Sequence, residues 1–165
     1  MSTQPKQANP QVEAAKRMFS SLSRGRQIAL VAGAVGFLAS FLPWYGVSIN
    51  AGAYSASNSI TAWHSWGLLA VLFLIVGGVV AALPLLGTSV RALVPSLPPT
   101  LTEPRLLIGA GGIAAIATLL FMFTYGSSSS GPGYSAGPSF GAYLGLICAV
   151  AIAAGGYLLQ KEPAQ

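Results

Sequence analysis

The chain has 165 residues, of which 53% are hydrophobic and only 7% charged, with a formal net charge of +5. Soluble domains carry about 25% charged residues, so this composition excludes an ordinary water-facing globule. The bases are dispersed over three places instead of forming one patch, which is an orientation signal of membrane proteins and gives no reason to expect a nucleic-acid partner.

Residues 1–26 are polar and basic and lack a short apolar core with a cleavage site, so they read as a retained tail and not as a signal peptide. The stretch before Asn9-Pro10 has the composition of disorder. From Gln11 to Leu22, the residues Val12, Ala15, Met18, Phe19 and Leu22 recur at helical spacing, flanked by Lys16, Arg17, Arg24 and Arg26. Two readings stand side by side. An amphipathic helix would lie on the inner leaflet and meet anionic lipids, at roughly 1 kcal/mol per base. A disordered basic tail would only enforce topology.

A helix needs about 20 mostly apolar residues to cross the roughly 30 Å hydrocarbon layer. Four stretches qualify, at about 27–45, 63–86, 105–125 and 139–160. Inside a bilayer the backbone must satisfy its own hydrogen bonds, so each is expected to be a helix. All the bases and the three acids, Glu13, Glu103 and Glu162, fall before the first stretch, between the second and third, or after the fourth. The positive-inside rule then places both termini and the middle loop in the cytoplasm, with residues 161–165 as a short tail. The expected fold is an all-α membrane protein of the plasma membrane: four transmembrane helices in an antiparallel up-down bundle over residues 27–160.

The connections have their own signatures. After the first span, Val47, Ile49 and Ala51 alternate with Ser48 and Asn50, and Ala51-Gly52 offers a turn before Tyr54 to Ile60. This predicts a short β-hairpin in the first outer loop, capping the bundle. Pro95, Pro98, Pro99 and Pro104 in the middle loop predict a stiff, extended spacer. The second outer loop, with Ser127 to Ser130, Gly131, Pro132, Gly133 and Gly137, reads as low-complexity and mobile. Pro43 and Pro84 sit near span ends, where each is expected to shape an exit turn.

Lipid tails are as apolar as leucine, so close approach through small residues must hold such helices together. Gly141, Gly145, Ala149 and Ala153 recur at every fourth position of the last span, and Ala32, Gly36 and Ser40 do so in the first. These seven are the expected packing residues; intramolecular packing is the default use of such stripes, with a homo-oligomer as the other. The three tryptophans gather at the outer ends of the first two spans: Trp44, beside Tyr45, then Trp63 and Trp66. An interfacial aromatic belt accounts for them, and a contact site for a lipid or protein partner is the sharper reading.

Catalytic chemistry has little to draw on. His64 is the sole histidine, and Cys148 lies roughly 13 Å below the outer end of its span. Neither has a carboxylate on its side of the membrane, so no nucleophile–base pair and no cofactor or metal site is expected. Gly109-Ala110-Gly111-Gly112 falls inside the third span and reads as packing, not as a phosphate loop. The spans hold no ionisable coupling residue, which disfavours an ion-coupled carrier. An uncoupled channel or small-solute permease formed by an oligomer, with Ser40 and Thr118 in its lining, stays as the alternative.

Ser40-Phe41-Leu42-Pro43-Trp44-Tyr45-Gly46-Val47-Ser48 with Thr61-Ala62-Trp63, and Ser139 to Leu146 with Gly155-Gly156-Tyr157-Leu158, combine with the four-span layout. Together they resemble a group of small, uncharacterised four-helix integral membrane proteins of actinobacteria. That resemblance implies a plasma-membrane protein and brings no activity with it. The layout is also similar to the claudin-type tetraspan plan, but it lacks the paired loop cysteines and has a much shorter first loop, so adhesion is not implied. The expected function is that of a non-enzymatic accessory, assembly or scaffolding component.

Overall fold

Long apolar runs free of charge fold as helices, and the polar, glycine-bearing stretches between them fold as strands and turns. The structure, a computed structural model, describes residues 10–52, 54–125 and 130–162. In chain order the elements are α1 (Pro10–Ser21), α2 (Arg24–Ala39), β1 (Pro43–Ala51), β2 (Tyr54–Thr61), α3 (Trp66–Ala82), α4 (Val90–Leu93), α5 (Glu103–Tyr125), β3 (Ser130–Gly131), β4 (Tyr134–Pro138) and α6 (Phe140–Lys161).

Of the two tail readings, the segment before the first span takes the helical one. α1 has Glu13 in its first turn, where a carboxylate complements the helix dipole, and Lys16 reaches Glu13 at 4.0 Å. Val12, Ala15, Met18 and Phe19 stay exposed, and only Leu22 of the apolar set is buried. Gln27 closes the end of α1 by donating its side-chain amide to the carbonyls of Phe19 and Leu22, at 3.0 and 2.9 Å. The Phe19 carbonyl also accepts the Leu22 N–H at 3.2 Å, so the amide adds to the bonding at a helix end where carbonyls lack intrahelical partners. The residues before Pro10 lie outside the described residues.

Helices α2, α3, α5 and α6 run alternately up and down, and each packs on two neighbours in the ring α2–α3–α5–α6. Among the described residues, three helical stretches are long and apolar enough to cross a membrane: Trp66–Leu86, Glu103–Tyr125 and Phe140–Lys161. The first expected span is shorter than its hydropathy suggested. α2 has 16 residues, about 24 Å of helix. Turns continue it through Phe41 and Leu42, whose N–H groups reach the carbonyls of Leu38 and Ala39, and the chain then turns into a strand at Pro43. The expected span at about 27–45 is therefore corrected at both ends, since helix begins at Arg24 and strand occupies Pro43 onward. α3 likewise ends at Ala82, with Pro84 in a 3-10 turn that Gly87 closes at φ +66°.

The middle loop is not the extended spacer that its prolines predict. Ser89 caps α4 by accepting from the Ala92 N–H at 3.4 Å, and Leu97 and Leu101 close turns onto Val94 and Pro98. Arg91 donates to the Pro99 carbonyl and Arg105 to that of Thr100, at 3.1 and 2.8 Å. Proline spacing forbids helix but does not forbid tight turns, and two guanidinium groups hold these turns closed.

The interior is built from small residues and the exterior from large ones. Ala29, Ala32, Gly33, Gly36, Ala114 and Ala149 are buried, whereas Val31, Leu38, Leu72, Val79, Ile116, Ile147 and Val150 are exposed. That is the reverse of a water-soluble bundle and fits a lipid exterior. Two core clusters form, one around Leu74, Leu107, Cys148 and Ile152, the other around Trp44, Val71 and Phe121. At the end where α2 starts and α6 finishes, Arg26 of α2 pairs with Glu103 of α5.

Candidate interaction surface at the sheet end

The end where α2 finishes and α6 starts is closed by a four-stranded antiparallel sheet in the order β2-β1-β4-β3. β1 and β2 form the expected hairpin, with Gly52 at φ +62° supplying the left-handed turn position. The second loop is not wholly the mobile connection its composition suggests. Its residues 134–138 pair with β1 from Tyr45↔Pro138 to Ile49↔Tyr134, and the Asn50 N–H donates to the Gly133 carbonyl at 2.6 Å. The signal was a two-residue period, Tyr134-Ser135-Ala136-Gly137, hidden among glycines; residues 126–129 lie outside the described residues.

Cross-strand register sorts the sheet into two unlike faces. Ser57, Ser48 and Ser135 are aligned in one row, and the Oγ atoms of Ser48 and Ser135 lie 2.7 Å apart. Ser59, Gly46 and Gly137 make the next row. This face is uncharged, small and hydroxyl-rich, and it borders a shallow depression of about 610 Å³. The other face carries Tyr45, Val47, Ile60 and Ala136, and Tyr45 meets Tyr125 of α5 with ring centroids 5.9 Å apart.

The four aromatic residues expected at a contact site are not one group. Trp44 is fully buried. Pairing shifts between Pro43 and Tyr45, so two residues of β1 oppose one of β2, and the bulge turns the Trp44 side chain into the bundle. Its Nε1–H donates to the Ala39 carbonyl at 2.9 Å and its ring meets Phe121 edge-on at 5.6 Å. Trp44 therefore has no surface to offer a partner. Tyr45 is half-buried beside Tyr125, while Trp63 and Trp66 are 40% and 43% exposed. Trp63 also leans on Phe41 at 5.7 Å.

The packing residues divide by what they touch. A Cβ at Gly141 or Gly145 would lie 2.5 and 2.6 Å from atoms of the Trp44 indole, so these two glycines make the slot for that ring rather than for a helix. Gly36 faces Cys148 and Leu74, and Ala149 and Ala153 face Gly111 of α5. Ala32 and Ser40 are buried within α2 and just after it. The every-fourth-residue spacing also marks Gly78 of α3, which meets Gly33 of α2; it does not mark the approaches of Gly25 to Gly155 or of Gly156 to Leu107.

The chain matches no protein-family model, and no curated protein matches it significantly. Its geometry must speak for itself. His64 is exposed between β2 and α3, while Cys148 is buried in the core against Gly36. Among the described residues no group of three or more His, Cys, Asp or Glu side chains comes together to hold a metal. Ser40 donates its hydroxyl to the Phe37 carbonyl at 2.6 Å, and Thr118 to that of Ala114 at 2.8 Å. Both hydroxyl protons are thereby spent on carbonyls of the preceding helical turn.

Proposed function

We propose that this chain is a non-enzymatic accessory, assembly or scaffolding protein of the plasma membrane, and that its partner-binding surface is the sheet end with Trp63 and Trp66. The observation that carries the reading is the sheet itself. Two connecting loops are hydrogen-bonded into one unit, which gives a membrane bundle a shaped, uncharged platform with exposed tryptophans at its border. Large amphipathic aromatics of this kind are frequent anchors of protein contacts.

In this reading α2, prolonged by its terminal turns, is the fourth span, and both termini are cytoplasmic. α1 then lies on the inner leaflet, with Val12, Met18 and Phe19 toward the acyl chains. Lys16, Arg17 and Arg24 face anionic headgroups, at roughly 1 kcal/mol each. The channel alternative draws less support, because the Ser40 and Thr118 hydroxyls that would line a path donate to backbone carbonyls.

Purification in mild detergent with quantitative identification of co-eluting proteins tests the proposal. A reproducible partner is expected with the natural sequence and is lost from the Trp63→Leu/Trp66→Leu double variant. Recovery of the chain without any other protein, together with solute flux in reconstituted liposomes, would replace this reading with the channel.

A further inference from the structure

Among the described residues β2 has a hydrogen-bonded neighbour on one side only, so alternate residues direct main-chain N–H and C=O groups away from β1. Ser59 identifies which residues these are. Its N–H is accepted by its own neighbour's Asn58 Oδ1 at 2.8 Å, so by alternation Ser55 and Ser57 also present their main-chain groups along the open edge. Soluble and membrane proteins alike blunt such edges with lysine, proline, bulges or very short strands. Among the described residues, the strand at the opposite edge, β3, has two residues. β2 is not so blunted: Tyr54-Ser55-Ala56-Ser57-Asn58-Ser59-Ile60-Thr61 is eight residues without a charge or a proline. The one register shift of the hairpin lies at its far end, opposite Ile60 and Thr61.

We propose that this edge pairs antiparallel with the β2 edge of a second copy of the chain, centred on Ser57. A two-fold contact demands that one strand be complementary to itself. About Ser57 it is, because Ser57 meets Ser57 and Ser55 meets Ser59, small uncharged residues with no like-charge pair. The row Ser57, Ser48 and Ser135 then runs on unbroken into the same row of the copy. Asn58 releases the Ser59 N–H to a carbonyl of the copy. The contact does not rest on the scaffold reading: capture of a different protein tests that one, and a link between copies tests this one.

The full chain carrying Cys148→Ala and Ser57→Cys, oxidised in its native membrane with copper–phenanthroline, provides the test. Hydrogen-bonded antiparallel partners have Cα atoms about 5.5 Å apart, inside the range of about 4.4–6.8 Å that a disulfide bridges. A covalent dimer is expected, in about tenfold excess over that from Ser48→Cys on the central strand, which the neighbouring strands shield. The mass of the unsubstituted chain in native-membrane nanodiscs needs no variant to fold, and a dimer is expected there, with Ser57→Lys reducing it to monomer. A monomeric unsubstituted chain overturns the proposal. So does equal linking from Ser48→Cys, or a Ser57→Cys adduct with a different protein, which would make the edge a site for a foreign strand.

Discussion

Trp44 shows how much a single residue's role depends on partners remote in sequence. Its indole sits between Phe121 of α5 and the glycine slot of α6, and its N–H closes the end of α2. Removal of so large a buried ring leaves a cavity, so Trp44→Ala is expected to lower stability by about 3–5 kcal/mol. Gly145→Ala, which pushes a methyl into the ring, is expected to cost about 1–3 kcal/mol. Trp63→Ala, at a half-exposed position, should change stability by less than about 1 kcal/mol. Thermal unfolding in detergent micelles measures all three. From the sequence, Trp44 belongs with Trp63 and Trp66, because all three follow or precede an apolar span. What separates it is a bulge, and a bulge is a property of register between two strands that no local pattern displays.

At the scale of elements, apolar runs predicted α3, α5 and α6 to within a few residues, since length and hydropathy alone decide whether a segment is helical in lipid. Connections were harder. The β1–β2 hairpin was legible from its alternation and its glycine turn, but β4 was not, because its pairing strand lies more than 80 residues away. Small-residue stripes were legible as a class, though not one by one. Gly109, Gly111 and Gly112 occupy one segment of α5, yet only Gly111 is enclosed, with the Ala149 carbonyl 2.6 Å and the Ala153 Cβ 2.9 Å from where its own Cβ would be. Nothing lies within 4 Å of the equivalent position at Gly109 or Gly112. Gly111→Ala is thus expected to cost about 1–3 kcal/mol by forcing α5 from α6, while Gly112→Ala is neutral or stabilises by up to about 1 kcal/mol through helix propensity. A comparison of the two midpoints under identical detergent conditions decides it; equal losses would mean that α5 and α6 do not cross at Gly111.

For the whole molecule, the one-sided placement of the charged residues is plain from their positions along the chain, and folding adds the sheet that stands at the other end. Exposure of large apolar side chains over a small-residue interior accords with lipid surroundings. The orientation proposed from charge is tested by labelling. In a Cys148→Ala background, Asn50→Cys in β1 should react with an impermeant thiol reagent added to intact cells, and Thr100→Cys in the middle loop should react only after lysis. The reverse pattern would invert the protein in its membrane.

The two ends of the bundle are fastened by different means, and this sets where it can yield. At one end the β1–β4 ladder joins the half containing α2 and α3 to the half containing α5 and α6 by main-chain hydrogen bonds. At the other, the described residues of the two halves meet without strand pairing, through the Arg26–Glu103 pair, the close packing of Gly25 on Gly155 and the turns of the middle loop. A force or a ligand that spreads the helices meets a stitched seam on one side and a set of buttons on the other. Any spreading of the helices is therefore expected to begin at the buttoned end, with the platform keeping its shape.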